Sequence, residues 1–575
     1  MSDVVYDNAA AAPDAVAFGR PEENGWSDVT AAEFAREVRS VAQGLIGAGI
    51  APGERVAIMS RTRYEWTLFD YAIWSAGAVP VPIYETSSAE QVRWVLQDSG
   101  AVAIIVESEE HARTVDGLRA DLPDLREVWT LEESAVATLN KLGADIDPAT
   151  VDERRHAVTA VDLATIIYTS GTTGRPKGCR LTHENLLFEV EAAVDSLDTL
   201  FHDGAATLLF LPIAHVLGRV IQCAIVRARI KLGHLPDTKN IMTDLQEFRP
   251  TFLLVVPRVL EKVYNGAKQR AHSEGKGAIF DQAEKIAIRH SRARDTGRIP
   301  LSVSLQHRLF DRLVYAKLRA ALGGRCHGAI SGGAPLGERL GHFFRGIGLF
   351  VYEGYGLTET TAAACVNRDG ATRIGTVGKP LPGIAVRIAD DGEVLFSGPV
   401  VFTGYWHNDA ATAEAIRDGW FHTGDLGELD DAGFLRITGR KKEIIVTAGG
   451  KNVSPAVLED QLRAHPLISQ CMVIGDQKPF IAVLVTLDPE AVPDWARRHG
   501  KPEGSELRAD TDLRAEIQQA IEAANKAVSR AESIRKFHIV AEDFTEQTGE
   551  LTPSLKVKRA VVLERHAIEI AELYG

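Results

Sequence analysis

The feature that most constrains this chain is a strand-type run that breaks into a loop of hydroxyls, glycines and cations. It reads Ile166-Ile167-Tyr168-Thr169-Ser170-Gly171-Thr172-Thr173-Gly174-Arg175-Pro176-Lys177-Gly178. Such a loop offers backbone N–H groups, Ser and Thr hydroxyls and two cationic side chains to a single anion. Its glycines let the backbone approach a phosphate without interference from a Cβ. A Walker loop would need Gly-x-x-x-x-Gly-Lys-Ser/Thr opening a helix. Here Pro176 precedes Lys177 and Gly178 follows it, so that template fails. The loop reads as a polyphosphate cradle of another kind, with Thr169, Ser170, Gly171, Thr172, Thr173, Gly174 and Lys177 as its candidate contacts.

The surrounding pattern predicts a layered α/β body. Phe34, Val38, Val41 and Leu45 recur at helical spacing within residues 30–49, and 55–59 reads as a strand. A helix over 66–76, a strand over 79–84 and a helix opened by a Ser87/Glu90 capping box follow, then a strand over 101–106. Alternation of this kind predicts a parallel sheet covered on both faces, with ligands at the carboxyl ends of its strands, where the Gly171 loop is expected. Strands are also expected over 207–212 and 251–256, and a charged helical excursion over 261–323, which reads as a surface insertion that could touch membrane or substrate or, most simply, as a solvated face. After Gly383 the pattern changes to short strands and tight turns. Asp391-Gly392 signals a hairpin, and Asp430-Asp431-Ala432-Gly433 does the same before 434–438. A smaller unit is expected beyond Gly439, with a helix over 455–464 capped by Ser454, strands over 470–474 and 481–487, and a helix over 513–528.

A chain of 575 residues is too long for one core. Its net charge of −14 argues against a nucleic-acid partner. The five cysteines are scattered and odd in number, which predicts reduced thiols in a cytoplasm and no zinc or disulfide framework. No basic, apolar leader opens the chain, and no apolar run reaches the ~18 residues of a membrane span. The expectation is a cytoplasmic protein, at most peripheral at the inner membrane face.

The Thr169–Gly178 stretch resembles the signature of the AMP-forming acyl-CoA synthetases of the adenylate-forming superfamily. Further motifs follow in that family's order. Ser331-Gly332-Gly333-Ala334-Pro335-Leu336 resembles its adenine-contacting turn, so Gly332, Gly333 and Ala334 are expected on ATP. Tyr352-Glu353-Gly354-Tyr355-Gly356-Leu357-Thr358-Glu359-Thr360 resembles its most diagnostic motif. The resemblance implies that Tyr355 stacks on adenine beside Gly356, Thr358 meets the α-phosphate and Glu359 ligands Mg²⁺. An aromatic face suits a base, and a hard cation prefers carboxylate oxygen. Asp418-Gly419-Trp420-Phe421-His422-Thr423-Gly424-Asp425 resembles the ribose motif, with Asp425 on both hydroxyls and Arg440 as second ribose contact. Lys442 falls at the family's hinge, and Gly449, Gly450 and Lys451 border the path of CoA. In Leu551-Thr552-Pro553-Ser554-Leu555-Lys556-Val557-Lys558, Lys556 aligns with the catalytic lysine that bridges carboxylate and ATP phosphates. Leu555 stands where the superfamily usually has glycine, and Lys558 competes for the role. Phe210-Leu211-Pro212-Ile213-Ala214-His215-Val216-Leu217-Gly218-Arg219 resembles the motif lining the acyl pocket and would place His215 near the reacting carboxylate.

The fold implied is α/β: a large N-terminal domain of parallel-sheet subdomains with a small β-barrel-like part, residues 1–439. A small mobile α+β C-terminal domain, 440–575, would carry the hinge and the catalytic lysine. The Arg-Lys-Lys and Gly-Gly-Lys stretches of 418–455 and the charged insertion after Pro257-Arg258-Val259 are most similar to the long-chain fatty acid–CoA ligase branch. The activity implied joins a fatty acid to CoA at the expense of ATP, with Mg²⁺, and gives AMP and pyrophosphate. Oligomeric state stays open between monomer and homodimer. None of the eight tryptophans lies between Trp129 and Trp406, so a tryptophan gate on the acyl channel, and with it the chain length, stays open. A fatty-acyl-AMP ligase loading a carrier protein is the first alternative, although no obvious extra insertion follows Thr361. An aryl or amino-acid ligase and a non-catalytic nucleotide- or fatty-acid-binding protein are the others.

Overall fold

A computed structural model describes residues 1–22, 25–169, 175–502, 506–552 and 555–575. Its widest sheet has six parallel strands at its centre: Phe350–Tyr355, Gly328–Ser331, Phe252–Val255, Ala206–Leu209, Lys231–His234 and Val16–Glu22, in that spatial order. Antiparallel strands close its edges, Gly25–Thr30 at one and Cys365–Val366 with Lys379–Pro380 at the other. The central strands are short and almost wholly buried because helices cover both faces, as parallel sheets require.

A second, all-parallel sheet runs Val79–Ile83, Arg55–Met59, Ala101–Val106, Glu127–Thr130. Its helix Ala31–Gly47 starts at a capping box, Thr30 with Glu33, and ends near the predicted glycines. The later box lies one residue beyond its predicted place. Ser88 Oγ accepts from Gln91 N and Gln91 Oε1 accepts from Ser88 N, while Ser87 N donates to Tyr84 O in a turn. The expectation for the glycine loop is corrected as well. The strand before it, Leu163–Thr169, pairs antiparallel with Lys177–Thr182, so the loop does not follow a strand of a parallel sheet.

The helical excursion is present as Pro257–Ser273, Gly277–Asp295, Leu301–Phe310 and Ala316–Ala321. The β-barrel-like part is a five-stranded antiparallel sheet built from Ala385–Ile388, Glu393–Ser397, Ile416–Arg417, Trp420–Leu429 and Leu435–Arg440.

Beyond it stands a small C-terminal domain. Strands Ile468–Ile474, Ile481–Leu487 and Ile534–Ile539 pack with helices Pro455–Arg463 and Thr511–Asn525 around a core drawn wholly from residues after 440. Ser454 does not cap the first of these helices. Its Oγ donates instead to Thr438 O at 2.8 Å, tying the helix start back to the preceding sheet, and Pro455 brings no N–H that needs a cap. Polar contacts join this domain to the body. Arg258 Nη2 donates to Ser469 Oγ at 3.1 Å and to Asp488 Oδ2 at 3.3 Å, and Thr86 Oγ1 donates to Glu546 Oε1 at 3.3 Å.

Candidate functional site

The site is assembled at the carboxyl ends of two neighbouring parallel strands. Gly328–Ser331 leads into the Gly332-Gly333-Ala334 turn, and Phe350–Tyr355 ends on Tyr355. Gly333 has φ +83°, a conformation glycine adopts without strain. Leu336 N donates to Glu353 Oε2 at 3.1 Å and so fixes the turn to the next strand. Burial pushes the Glu353 carboxyl up to about 7, against the pull of that N–H.

Antiparallel pairing sets Asp425 opposite Arg440. Asp425 is buried, and both of its carboxylate oxygens are engaged. Tyr355 Oη donates to Oδ2 at 2.6 Å and Arg440 Nε donates to Oδ1 at 2.8 Å. An ionised carboxylate has about four lone-pair sites, so two hydroxyl donors can still be accepted. Burial and the neighbouring Asp425 charge raise the Tyr355 phenol well above its usual range, so it stays a donor.

The next segment turns sharply through the short 3₁₀ turn Thr358–Thr360, with Thr361 and Ala362 at φ +52° and +98°. A Cβ on Gly356 would lie 1.6 Å from Ala362 O, so only glycine fits there. Glu189, fully buried on helix His183–Ser196, accepts from Ala363 N at 2.9 Å and braces the turn from behind. Glu359 Oε1 accepts from Tyr405 Oη at 2.8 Å, and Lys177 Nζ sits 4.9 Å from the centre of the Tyr405 ring. Tyr405 reaches this position because residues 404–406 bond to the strand after the glycine loop: Arg180 N donates to Gly404 O and Trp406 N to Gly178 O. Sequence reasoning passed over Tyr405, Glu189 and Glu353. The Gly404-Tyr405-Trp406 stretch has no motif spacing, and only its aromatic content between glycine and the ribose motif marked it.

His215 caps helix Val216–Arg227, its Nδ1 accepting from Leu217 N at 3.2 Å. Burial, and then the charge of Lys556, push its pKa down to about 4, so the ring is neutral at pH 7. With Nδ1 an acceptor, the neutral ring carries its proton on Nε2. Lys556 is exposed to solvent. Its pKa is lowered, first by desolvation and then by the Arg440 guanidinium, while the carboxylates of Asp425, Glu443 and Glu359 oppose the shift. Lys558 lies instead within electrostatic reach of Glu546. Lys556 thus lies within electrostatic reach of His215, Glu359, Asp425 and Arg440.

The remaining predicted residues lie apart from this cluster or outside it. Lys442 is exposed in the 3₁₀ turn Lys441–Glu443. Gly449, Gly450 and Lys451 form an exposed turn closed by Thr447 N donating to Lys451 O at 3.0 Å, and Lys451 Nζ pairs with Glu532 at 3.2 Å. Ser170, Gly171, Thr172, Thr173 and Gly174 lie outside the described residues, between Thr169 and Arg175. Among the described residues no three His, Cys, Asp or Glu side chains cluster to hold a metal, so a divalent cation at Glu359 would take one hard oxygen ligand from it and others from elsewhere. Mg²⁺ suits such a site, since it is commonly held by one or two carboxylates together with substrate phosphates.

Comparison with known proteins bears on this arrangement. The model of the family described as AMP-binding enzyme matches residues 5–406, and that of the AMP-binding enzyme C-terminal domain matches 442–575. The chain is 55% identical over 581 residues to the long-chain-fatty-acid–CoA ligase FadD15 of Mycobacterium bovis, covering 100% of this chain and 97% of that protein. It is 30% identical to long-chain-fatty-acid–CoA ligase 1 of Homo sapiens, over 91% of this chain and 79% of that one. Among solved structures, the anthranilate CoA ligase AuaEII in complex with anthranoyl-AMP shares the fold with TM-score 0.74 at 21% identity, covering 100% of this chain and 98% of that one. O-succinylbenzoate CoA synthetase from Bacillus subtilis, in complex with ATP and a magnesium ion, has TM-score 0.68 at 20% identity, covering 97% and 98% of the two chains.

Proposed function

We propose, on the premise that this chain belongs to the adenylate-forming family of AMP-binding enzymes, that it activates a long-chain fatty acid with ATP and passes the acyl group to CoA. The fatty-acid carboxylate attacks the α-phosphorus and expels pyrophosphate. CoA thiolate then attacks the acyl-adenylate and expels AMP. The observation that supports the residue assignments is the Asp425 carboxylate held by Tyr355 and Arg440, with Lys556 of the C-terminal part within electrostatic reach of it and of Glu359.

In this reading the Tyr355 ring takes the adenine, with Gly332, Gly333, Ala334 and Gly356 shaping the slot. Asp425 accepts from the ribose hydroxyls while Arg440 and Tyr355 hold its carboxylate. Thr358, Lys177 and the Thr169–Gly174 stretch hold the phosphates, and Glu359 holds Mg²⁺, which neutralises phosphate charge when bound. Lys556 supplies a positive charge between the two repelling anions, a task for a point charge on a flexible stem. Neutral His215 offers Nε2–H to the acid carboxylate without adding charge of its own. Positioning and preorganised charge of this kind can account for roughly 7–11 kcal/mol of barrier.

We place the domain boundary at residues 439/440 and the hinge at Lys442. Rotation there withdraws Lys556 and brings the Gly449–Lys451 turn to the CoA path, a hinge motion that an exposed turn and polar interdomain contacts permit. The setting proposed is the cytoplasm, where the five cysteines, all buried and free, stay reduced.

The test is product analysis with ATP, Mg²⁺ and a panel of acids, with and without CoA. AMP, pyrophosphate and acyl-CoA, strongest with long chains, are expected. Acyl-adenylate that ignores CoA would instead indicate carrier loading, and no AMP with any acid would overturn the enzyme reading.

A further inference from the structure

Helix Leu301–Phe310 and the turns after it carry an apolar stripe turned to solvent. Leu301, Leu305, Leu309 and Leu313 recur every four residues and are 83%, 65%, 56% and 47% exposed. The opposite side of the segment, through Val303 and Tyr315, is buried. Lone exposed leucines need no explanation, but four in register along one helical face mark an interaction surface.

The charge around the stripe identifies its occupant. Residues 285–319 contain nine lysines and arginines against two aspartates, in a molecule whose net charge is −14. Both aspartates are already paired, Asp311 with Arg319 and Asp295 with Arg345, each at 2.8 Å. Arg298, Arg308, Arg312 and Lys317 are exposed, and among the described residues none has a carboxylate within ion-pairing distance. On the helix, Arg308 and Arg312 fall beside Leu305 and Leu309, since positions three and four apart are neighbours.

We propose that this face docks on an anionic lipid bilayer, with the leucines entering the headgroup–acyl boundary and the flanking arginines meeting lipid phosphates. An interfacial helix combines an apolar face with basic flanks in this way. A second copy of the chain fits less well: a two-fold contact uses the same patch on both copies, so it would set one basic flank against another. The acidic remainder of the molecule is repelled by the same bilayer, so the charge asymmetry also orients the approach. Among the described residues no helix is long and apolar enough to cross a membrane, so the contact is peripheral.

The experiment is flotation of the full chain with vesicles of phosphatidylcholine alone or with added phosphatidylglycerol, at low and high salt. Binding should require the anionic lipid and weaken at high salt. The Arg308→Gln/Arg312→Gln variant should lose affinity by about 5-fold per charge removed. The Leu305→Ser/Leu309→Ser variant should lose binding while keeping its melting temperature and its turnover of a water-soluble acid, because both side chains are exposed. Absence of wild-type binding, or variants that bind like the wild type, would overturn the proposal, as would equal binding to neutral vesicles. Concentration-dependent self-association abolished by the leucine variant, with no vesicle binding, would make the face a contact between copies and overturn it too. Because the readout is vesicle binding, its failure is separate from any failure of the ligase reading.

Discussion

The two halves of the candidate site are built to different standards. On the body side, Asp425 has both oxygens engaged, Gly356 leaves no room for a Cβ, and a buried glutamate braces the turn that carries Glu359. On the C-terminal side, Lys556 projects from an exposed loop held by local bonds. Thr552 N donates to Lys556 O at 2.8 Å, Lys556 N donates to Thr552 Oγ1 at 3.0 Å, and Leu555 has φ +61°. The difference is the one the proposed function needs: a preformed nucleotide site, and a lysine delivered to it. A group that must arrive for one half-reaction and leave for the next cannot be anchored as Asp425 is.

The comparison breaks most severely at Gly356. Gly356→Ala should force the Thr358–Ala362 turn to shift and cut adenylation by ~100-fold or more, since misplacement by ~1 Å costs about that much. A pyrophosphate-exchange assay reads it, and a near-normal rate would mean the turn is not preformed. Next comes Asp425→Asn, which keeps the shape but removes the charge facing Arg440. One lost charge-assisted bond is worth ~1.5–3 kcal/mol, so the KM for ATP should rise by about 10- to 100-fold with little change in KM for the acid.

Acid should also act on the body. Burial holds His183, His215 and His234 neutral, with pKa values down to about 3, 4 and 3. The unfolded chain binds these protons from pH ~6.5 downward, whereas the folded chain refuses them until pH falls much lower, so protons favour unfolding in that window. Calorimetry at pH 7.5 and pH 5 should show a loss of stability of roughly 1–2 kcal/mol per histidine. The smallest effect is expected at Leu555. Replacing it with glycine relieves a left-handed leucine but frees the unfolded chain, so net stability should change by no more than ~1 kcal/mol. Single-turnover adenylation should likewise move only a few-fold.

Much of this division was legible in the sequence, and for a physical reason. The glycine turn and the Tyr352–Thr360 and Asp418–Asp425 segments each pack their chemistry into consecutive residues, so local composition exposes it. The α/β alternation was equally visible, because buried parallel strands are continuous apolar runs. What stayed hidden depends on pairing at a distance. Tyr405 reaches Glu359 only through a strand contact with residues 178–180, and Glu189 meets Ala363 N across 174 positions of sequence. The antiparallel partner of Leu163–Thr169 was missed because an apolar run does not disclose the direction of its neighbour. The preference for Lys556 over Lys558 in the proposed function likewise rests on which charges the fold sets within electrostatic reach of each.

The most direct test of a preformed site with a delivered lysine separates the two half-reactions in Lys556→Ala. The account predicts that formation of acyl-adenylate from ATP and acid falls by ~100- to 1000-fold, as when one preorganised charge is removed. Transfer of a supplied acyl-adenylate to CoA should stay within a few-fold of wild type. Equal loss of both half-reactions would contradict the account, as would retention of both, which would shift the role to Lys558.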